Sequence, residues 1–107
     1  MKYLGGFVLA GIVAMATALE HGAYFESRTI IIPHDDKIHR GGEDSAHATD
    51  TMITVADGVG GWGEQGVNPG LFSKLLTRTI KDLHLEDPQK GTRRLAIQAH
   101  KVAAAKY

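Results

Sequence analysis

The stretch that most limits what this chain can fold into is Met52-Ile53-Thr54-Val55-Ala56, followed by Asp57-Gly58-Val59-Gly60-Gly61-Trp62-Gly63. A short run rich in β-branched residues, closed by an acid and a glycine, reads as a buried strand that delivers one carboxylate to the rim of a sheet. The glycines beyond it open backbone conformations closed to other residues and let a ligand approach main-chain atoms. An acid fixed at a strand end beside bare carbonyls suits a hard divalent cation, which takes oxygen ligands. Glu43-Asp44, behind Gly41-Gly42, forms a second acidic station upstream. Together the two stations read as half of a metal site, with plain turn acids as the alternative.

The flanking chain supplies a frame for that stretch. Ser45 to Thr49 and Met52 to Ala56 predict two short strands, with Asp50-Thr51 as the hairpin corner. Upstream, Tyr24-Phe25 and Ile30-Ile31-Ile32 are strand formers and Pro33 ends the run by removing a donor. His34 to Lys37 reads as a turn or loop. Downstream, Asn68-Pro69 is a helix start, because Asn caps free amides and Pro is preorganised for the first helical position. Leu71, Phe72, Leu75, Leu76, Ile80 and Leu83 then recur on one helical face. Asp87-Pro88 breaks that helix, and Thr92 is the expected cap of a second, with Leu95, Ala96, Ala99, Val102 and Ala103 as a weaker stripe. This second helix runs into Tyr107 without a capping glycine, as if the pattern stopped inside an architecture.

Composition bounds the function. At 107 residues and 43% hydrophobic, the chain predicts one small domain with a modest core. Lys plus Arg equals Asp plus Glu at 12 each, and only Arg93-Arg94 adjoin, so nucleic acid is not an expected partner. The absence of cysteine removes disulfides, thiolate zinc sites and a cysteine nucleophile. Met1-Lys2 precedes an apolar run from Tyr3 to Leu19, and Ala16-Thr17-Ala18 has the small-x-small form of a signal-peptidase site. Residues 1–20 are therefore expected to be a signal peptide or membrane-anchor-like segment, with a buried helix as the alternative. Membrane association would run through residues 3–19, and residues 21–107 would form the domain. A mitochondrial presequence would be richer in Arg and Ser.

Competing motifs are weaker. Gly58-x-Gly60-x-x-Gly63 after a strand formally satisfies a dinucleotide fingerprint, but the helix starts at Asn68-Pro69 and Asp57 would set negative charge beside phosphate. No Gly-Lys-Ser/Thr follows for a P-loop. His34, His39 and His47 lack the helical His pair of a zinc hydrolase. Ser45 and Ser73 have no identifiable base partner for nucleophilic work.

Three segments together carry a family resemblance: Arg40-Gly41-Gly42-Glu43-Asp44-Ser45, Val55 to Trp62, and Gly66-Val67-Asn68-Pro69-Gly70-Leu71-Phe72-Ser73. In this order they resemble the metal-dependent (PPM, type 2C) serine/threonine protein phosphatases, nearest the branch with mitochondrial and plant organellar members. The resemblance runs from about Ala23 onward and covers about the first half of a phosphatase domain. The family's later Gly-Asp-Ser and Asp-Gly motifs are absent from it.

The resemblance implies an α+β fold, a partial antiparallel β-sandwich with two long antiparallel helices on one face. It implies two Mn²⁺ or Mg²⁺ ions bridged by Asp57, with the Gly58 carbonyl as a further ligand. Asp44, and beside it Glu43, would bind metal through water, and Arg40 would hold the substrate phosphate. The implied substrate is a phosphoserine or phosphothreonine protein, whose ester is hydrolysed by a water that two close cations activate. With the later carboxylates missing, this chain alone is expected to be inactive or nearly so. The alternative expectation is a non-catalytic, truncated binding or scaffold module. By compartment, the leader points to the secretory pathway or a membrane, and the family branch to mitochondria or another organelle.

Overall fold

The computed structural model of the protein describes residues 24–59 and 68–107, together with the backbone of a strand at 12–17. Strands β1 (Ile12–Thr17), β2 (Ser45–Ala48) and β3 (Met52–Asp57) form an antiparallel sheet in the order β1-β3-β2. A 3-10 helix spans Asp35–Arg40, and two α-helices follow, α1 (Pro69–Glu86) and α2 (Thr92–Lys106). The fold class is α+β, with an antiparallel sheet and two antiparallel helices, as the sequence predicts.

The β2–β3 hairpin closes where Asp50-Thr51 stands. Thr49 N–H donates to the Met52 carbonyl at 2.8 Å, and the Thr49 hydroxyl accepts from Thr51 N–H at 3.2 Å. A side chain that satisfies its own turn is why Thr and Asp suit this corner. The register that results pairs Ser45 with Ala56 and Ala48 with Ile53. On the other side of β3, Ile12 pairs with Asp57 and Thr17 with Met52. β1 thus lies inside the apolar segment expected to be a leader or anchor, most of which falls outside the described residues. Among the described residues, no helix is long and apolar enough to cross a membrane.

Helix α1 starts where the sequence puts it. The Asn68 side chain accepts from Gly70 N–H at 2.9 Å, and Pro69 takes the first helical position, where no amide is missed. It stops at Asp87, whose N–H closes on the Leu83 carbonyl at 3.0 Å ahead of Pro88. Helix α2 departs from expectation at its start. Gly91 is the cap residue, no side chain caps the helix, and Thr92 is already helical. The Phe72 ring, near the start of α1, meets the His100 ring of α2 edge-on at 6.1 Å. An early α1 residue facing a late α2 residue makes the pair antiparallel.

The core is Met52 and Ala56 from β3, Phe72, Leu76 and Ile80 from α1, and Ala99 and Ala103 from α2. Alternation along β3 buries Met52, Thr54 and Ala56 and turns Val55 outward, 42% exposed. Alanines on α2 let it lie close to α1, where Phe72, Leu76 and Ile80 supply most of the bulk. Each such large side chain contributes roughly 1.5–3 kcal/mol on full burial. Leu71 and Val102 were expected on the inner faces but are exposed. The buried stripes run through Phe72, Leu76 and Ile80 and through Leu95, Ala99 and Ala103, and both residues sit one step off them.

The second departure is upstream. Ile30-Ile31-Ile32 form no strand, and Ile30 and Ile32 are more than four-fifths exposed. Among the described residues the segment's main-chain tether is Phe25 N–H to the Asp50 carbonyl. β-branched residues favour a strand only when a partner strand packs them, and among the described residues none does so. His34 to Lys37, expected as a turn or loop, enters the 3-10 helix, with the His34 side chain accepting from Asp36 N–H.

Candidate metal centre

The two acidic stations meet because of the strand register. Pairing Ser45 with Ala56 in an antiparallel ladder sets Asp44, one residue before β2, level with Asp57, the last residue of β3. The two carboxyl groups are near enough to act on one another. Partial desolvation, followed by the neighbouring Asp57 carboxyl and its like charge, raises the Asp44 carboxyl above its ordinary value. The backbone of Gly58 and the charge of Lys37 oppose that rise. Both acids remain open to solvent.

Gly58 is glycine for a steric reason. A Cβ there would collide with the carbonyl oxygen of Glu43, and would lie 3.1 Å from the Glu43 Cβ. Gly70, in the first turn of α1, is similarly constrained, since its Cβ would stand 2.6 Å from the Gly42 carbonyl oxygen. Between these approaches the Glu43 carbonyl accepts a hydrogen bond from Ser73 Oγ at 2.5 Å. Ser45 Oγ and Thr77 Oγ1 join α1 to β2 at 2.8 Å one turn further on. The backbone that carries Glu43 and Asp44 is thus clamped between the end of β3 and the first turns of α1.

Glu43 turns away from the acid pair. Its side chain is 4% exposed and its Oε1 receives Lys37 Nζ at 2.6 Å and Arg40 Nη2 at 3.5 Å. Both cations come from the 3-10 helix, after which Gly41 and Gly42, at φ 73° and 81°, reverse the chain. Such left-handed angles are open to glycine at little cost. Of the residues singled out from sequence, Asp44, Asp57 and Gly58 come together, whereas Glu43 and Arg40 form a neighbouring ion cluster. Gly60, Gly61, Trp62 and Gly63 lie outside the described residues. Ser45 and Ser73 are spent on structural hydrogen bonds. His34 and His39 are exposed, and His47 lies near Arg78, Lys81 and Asp82.

Sequence reasoning missed Lys37 and Ser73. The spacing of Lys37 and Arg40, one turn of a 3-10 helix, was the available signal for the first. Ser73 was weighed only as a nucleophile, and nothing in the sequence signalled its bond to the Glu43 carbonyl.

The donor set suits a hard cation. Two carboxyl groups set side by side repel one another when charged, and a divalent ion between them would relieve that repulsion. Among the described residues no third His, Asp or Glu joins them.

Sequence comparison adds to this geometry. Over 48 residues the chain is 52% identical to probable protein phosphatase 2C 26 of Arabidopsis thaliana, covering 42% of this chain and 16% of that protein. It is 40% identical over 76 residues to probable protein phosphatase 2C 1 of Oryza sativa subsp. japonica, covering 67% of this chain and 23% of that protein. The chain is related to the 2C-type protein phosphatases. A protein phosphatase PTC7 homolog of Xenopus laevis is 51% identical over 37 residues, 12% of its length. The chain thus matches less than a quarter of the length of each of these 2C-type phosphatases. No family model matches the chain, and no solved structure does.

Proposed function

We propose that the chain is part of a metal-dependent protein serine/threonine phosphatase, acting on phosphoserine or phosphothreonine proteins. The observation that carries this reading is the Asp44–Asp57 carboxyl pair at one end of the β2–β3 ladder. In this reading Asp57, Asp44 and the Gly58 carbonyl hold Mn²⁺ or Mg²⁺, with Glu43 behind them, and Arg40 holds the phosphate of the substrate. The cations, when bound, supply an activated water and offset charge on the phosphoryl group. The chain's own residues fix the geometry. Gly58 lets β3 approach the Glu43 carbonyl, and Ser73 pins that carbonyl so that Asp44 keeps its place opposite Asp57.

Two carboxylates and one carbonyl leave much of a divalent pair's charge unmatched. The chain alone is accordingly proposed to hydrolyse little or nothing. Residues 1–20 are proposed as a signal peptide or membrane-anchor-like segment ahead of a phosphatase portion at 21–107. The presence of only two acids in the described cluster also favours a second reading, a non-catalytic module used for binding or scaffolding.

Phosphate release from a phosphoserine peptide in Mn²⁺ separates the readings. It is measured with the chain alone and with a chimera continued by the rest of the Arabidopsis relative's length. The phosphatase reading predicts background release from the chain, Mn²⁺-dependent turnover by the chimera, and loss of that turnover in its Asp57→Asn variant. A folded chimera that turns over equally well with Asp57→Asn refutes the reading, and one that is silent throughout favours the scaffold.

A further inference from the structure

The ion cluster beside the acid pair carries one cation that the phosphatase reading leaves unused. We propose that Lys37 is a phosphate-contacting residue of this site and grips the phosphoryl group of the substrate together with Arg40. The inference rests on the phosphatase reading and adds a residue that lies outside the motif.

Three observations support it. The first is the arrangement on the 3-10 helix, where residues three apart lie above one another on one face. Lys37 and Arg40 have that spacing in Asp35–Arg40, so their heads converge, and both reach the same oxygen, Oε1 of Glu43. The second is charge. Lys37 and Arg40 share the single buried carboxylate of Glu43, so within this triad neither cation has a buried carboxylate of its own, and Asp44, which the Lys37 charge also reaches, is exposed. The third is exposure. Glu43 is sealed at 4% exposed, while the Lys37 and Arg40 side chains keep 32% and 30% of their surface open. An anion arriving from solvent meets the cations and not the acid that anchors them.

The chemistry of the two heads fits a phosphoryl oxygen set. A lysine ammonium has three donors, and Lys37 Nζ is ion-paired with a single oxygen of Glu43. The guanidinium of Arg40 has five, and its Nε is buried with no partner among the described atoms. Lys37 also stands close to the candidate metal centre, because Glu43, its ion-pair partner, is the residue next to Asp44 in the chain. A phosphate held between the two cations therefore borders the Asp44–Asp57 pair. Glu43 acts as the positioning residue, fixing both heads before the substrate binds.

The test is binding of a fluorescent phosphoserine peptide to the full chain in Mn²⁺, read by anisotropy, with the unphosphorylated peptide as reference and inorganic phosphate as competitor. The proposal expects Lys37→Gln to weaken the phosphopeptide roughly tenfold, the scale of one charge-assisted hydrogen bond, and Lys37→Arg to restore most of it. The unphosphorylated peptide should be indifferent to both changes. Peptide displaced fully by inorganic phosphate places recognition on the phosphoryl group itself.

A measurement on the unaltered chain covers the case of a variant that fails to fold. The ¹⁵N resonance of the Lys37 ammonium should shift on phosphate titration. Unchanged binding by folded Lys37→Gln, or an unmoved Lys37 resonance, overturns the role of Lys37 and leaves the phosphatase reading intact. A wild-type chain that does not distinguish phosphorylated from unphosphorylated peptide overturns both.

Discussion

Replacing Gly58 by alanine puts one methyl group where the structure has no room for it. The new Cβ would lie 3.1 Å from Glu43 Cβ and 3.2 Å from the Glu43 carbonyl carbon, with the oxygen closer still. That oxygen belongs to the backbone, and Ser73 Oγ pins it at 2.5 Å, so it cannot swing aside as the end of a long side chain could. Relief must come from shifting the end of β3 away from the Glu43-Asp44 station. Overpacking of this kind costs about 1–3 kcal/mol. In a domain of this size, each kcal/mol moves Tm by about 4–8 °C. Thermal melting followed by far-ultraviolet circular dichroism should therefore show Gly58→Ala unfolding roughly 5–20 °C below the unaltered chain. Gly91→Ala is the control, since a Cβ at Gly91 meets nothing within 4 Å, and its Tm should stay within about 8 °C of the unaltered chain without the larger drop. Gly58→Ala melting with the wild type would refute the claim that β3 is pressed against the Glu43 carbonyl.

Two further perturbations follow from the same clamp and from the core. Ser73→Ala leaves the buried Glu43 carbonyl without its hydroxyl partner and should cost about 1–3 kcal/mol in urea denaturation. A free energy equal to wild type would show that the bond adds nothing. His84 is buried, with Nε2 and the Thr51 hydroxyl 2.8 Å apart, and burial pushes its pKa below the ordinary value. The unfolded chain then takes up the proton first, so stability is full above about pH 6.5 and falls as pH drops toward the lower folded value. Urea midpoints should decline from neutral toward mildly acidic pH and decline less in His84→Gln. His47, lowered chiefly by desolvation, adds a slope of the same sign.

The parts of the fold that were legible in the sequence are those fixed by local chemistry. Asn68 and Pro69 mark the start of α1, Asp87-Pro88 its end, and Thr49 to Thr51 the hairpin corner, because each satisfies or removes specific backbone groups nearby. The parts that were not legible depend on partners elsewhere in the chain. Ile30-Ile31-Ile32 has strand composition but no strand beside it among the described residues, and propensity alone does not form a ladder. Ser73, Thr77 and His84 are buried on the inner face of α1, where an apolar pattern gives no warning of them. Each carries a hydrogen bond to the sheet, its hairpin or the acidic station.

At the candidate site, Asp57 could be read from its strand-end position. Asp44 was read as part of a second acidic station, and the register that sets it level with Asp57 was not legible. The orientation of Glu43 was beyond sequence reasoning. It depends on Gly41 and Gly42 reversing the chain so that one carboxylate faces Lys37 and Arg40 instead of the acid pair.

Calorimetric titration of Mn²⁺ into the wild-type chain and into Asp57→Ala is the most direct test of whether these two acids exist to hold a divalent ion. The account predicts weak but measurable binding by the wild type, with Kd on the order of 10⁻⁴–10⁻³ M for so few oxygen ligands, and none by Asp57→Ala. Identical heats from the two proteins would contradict it.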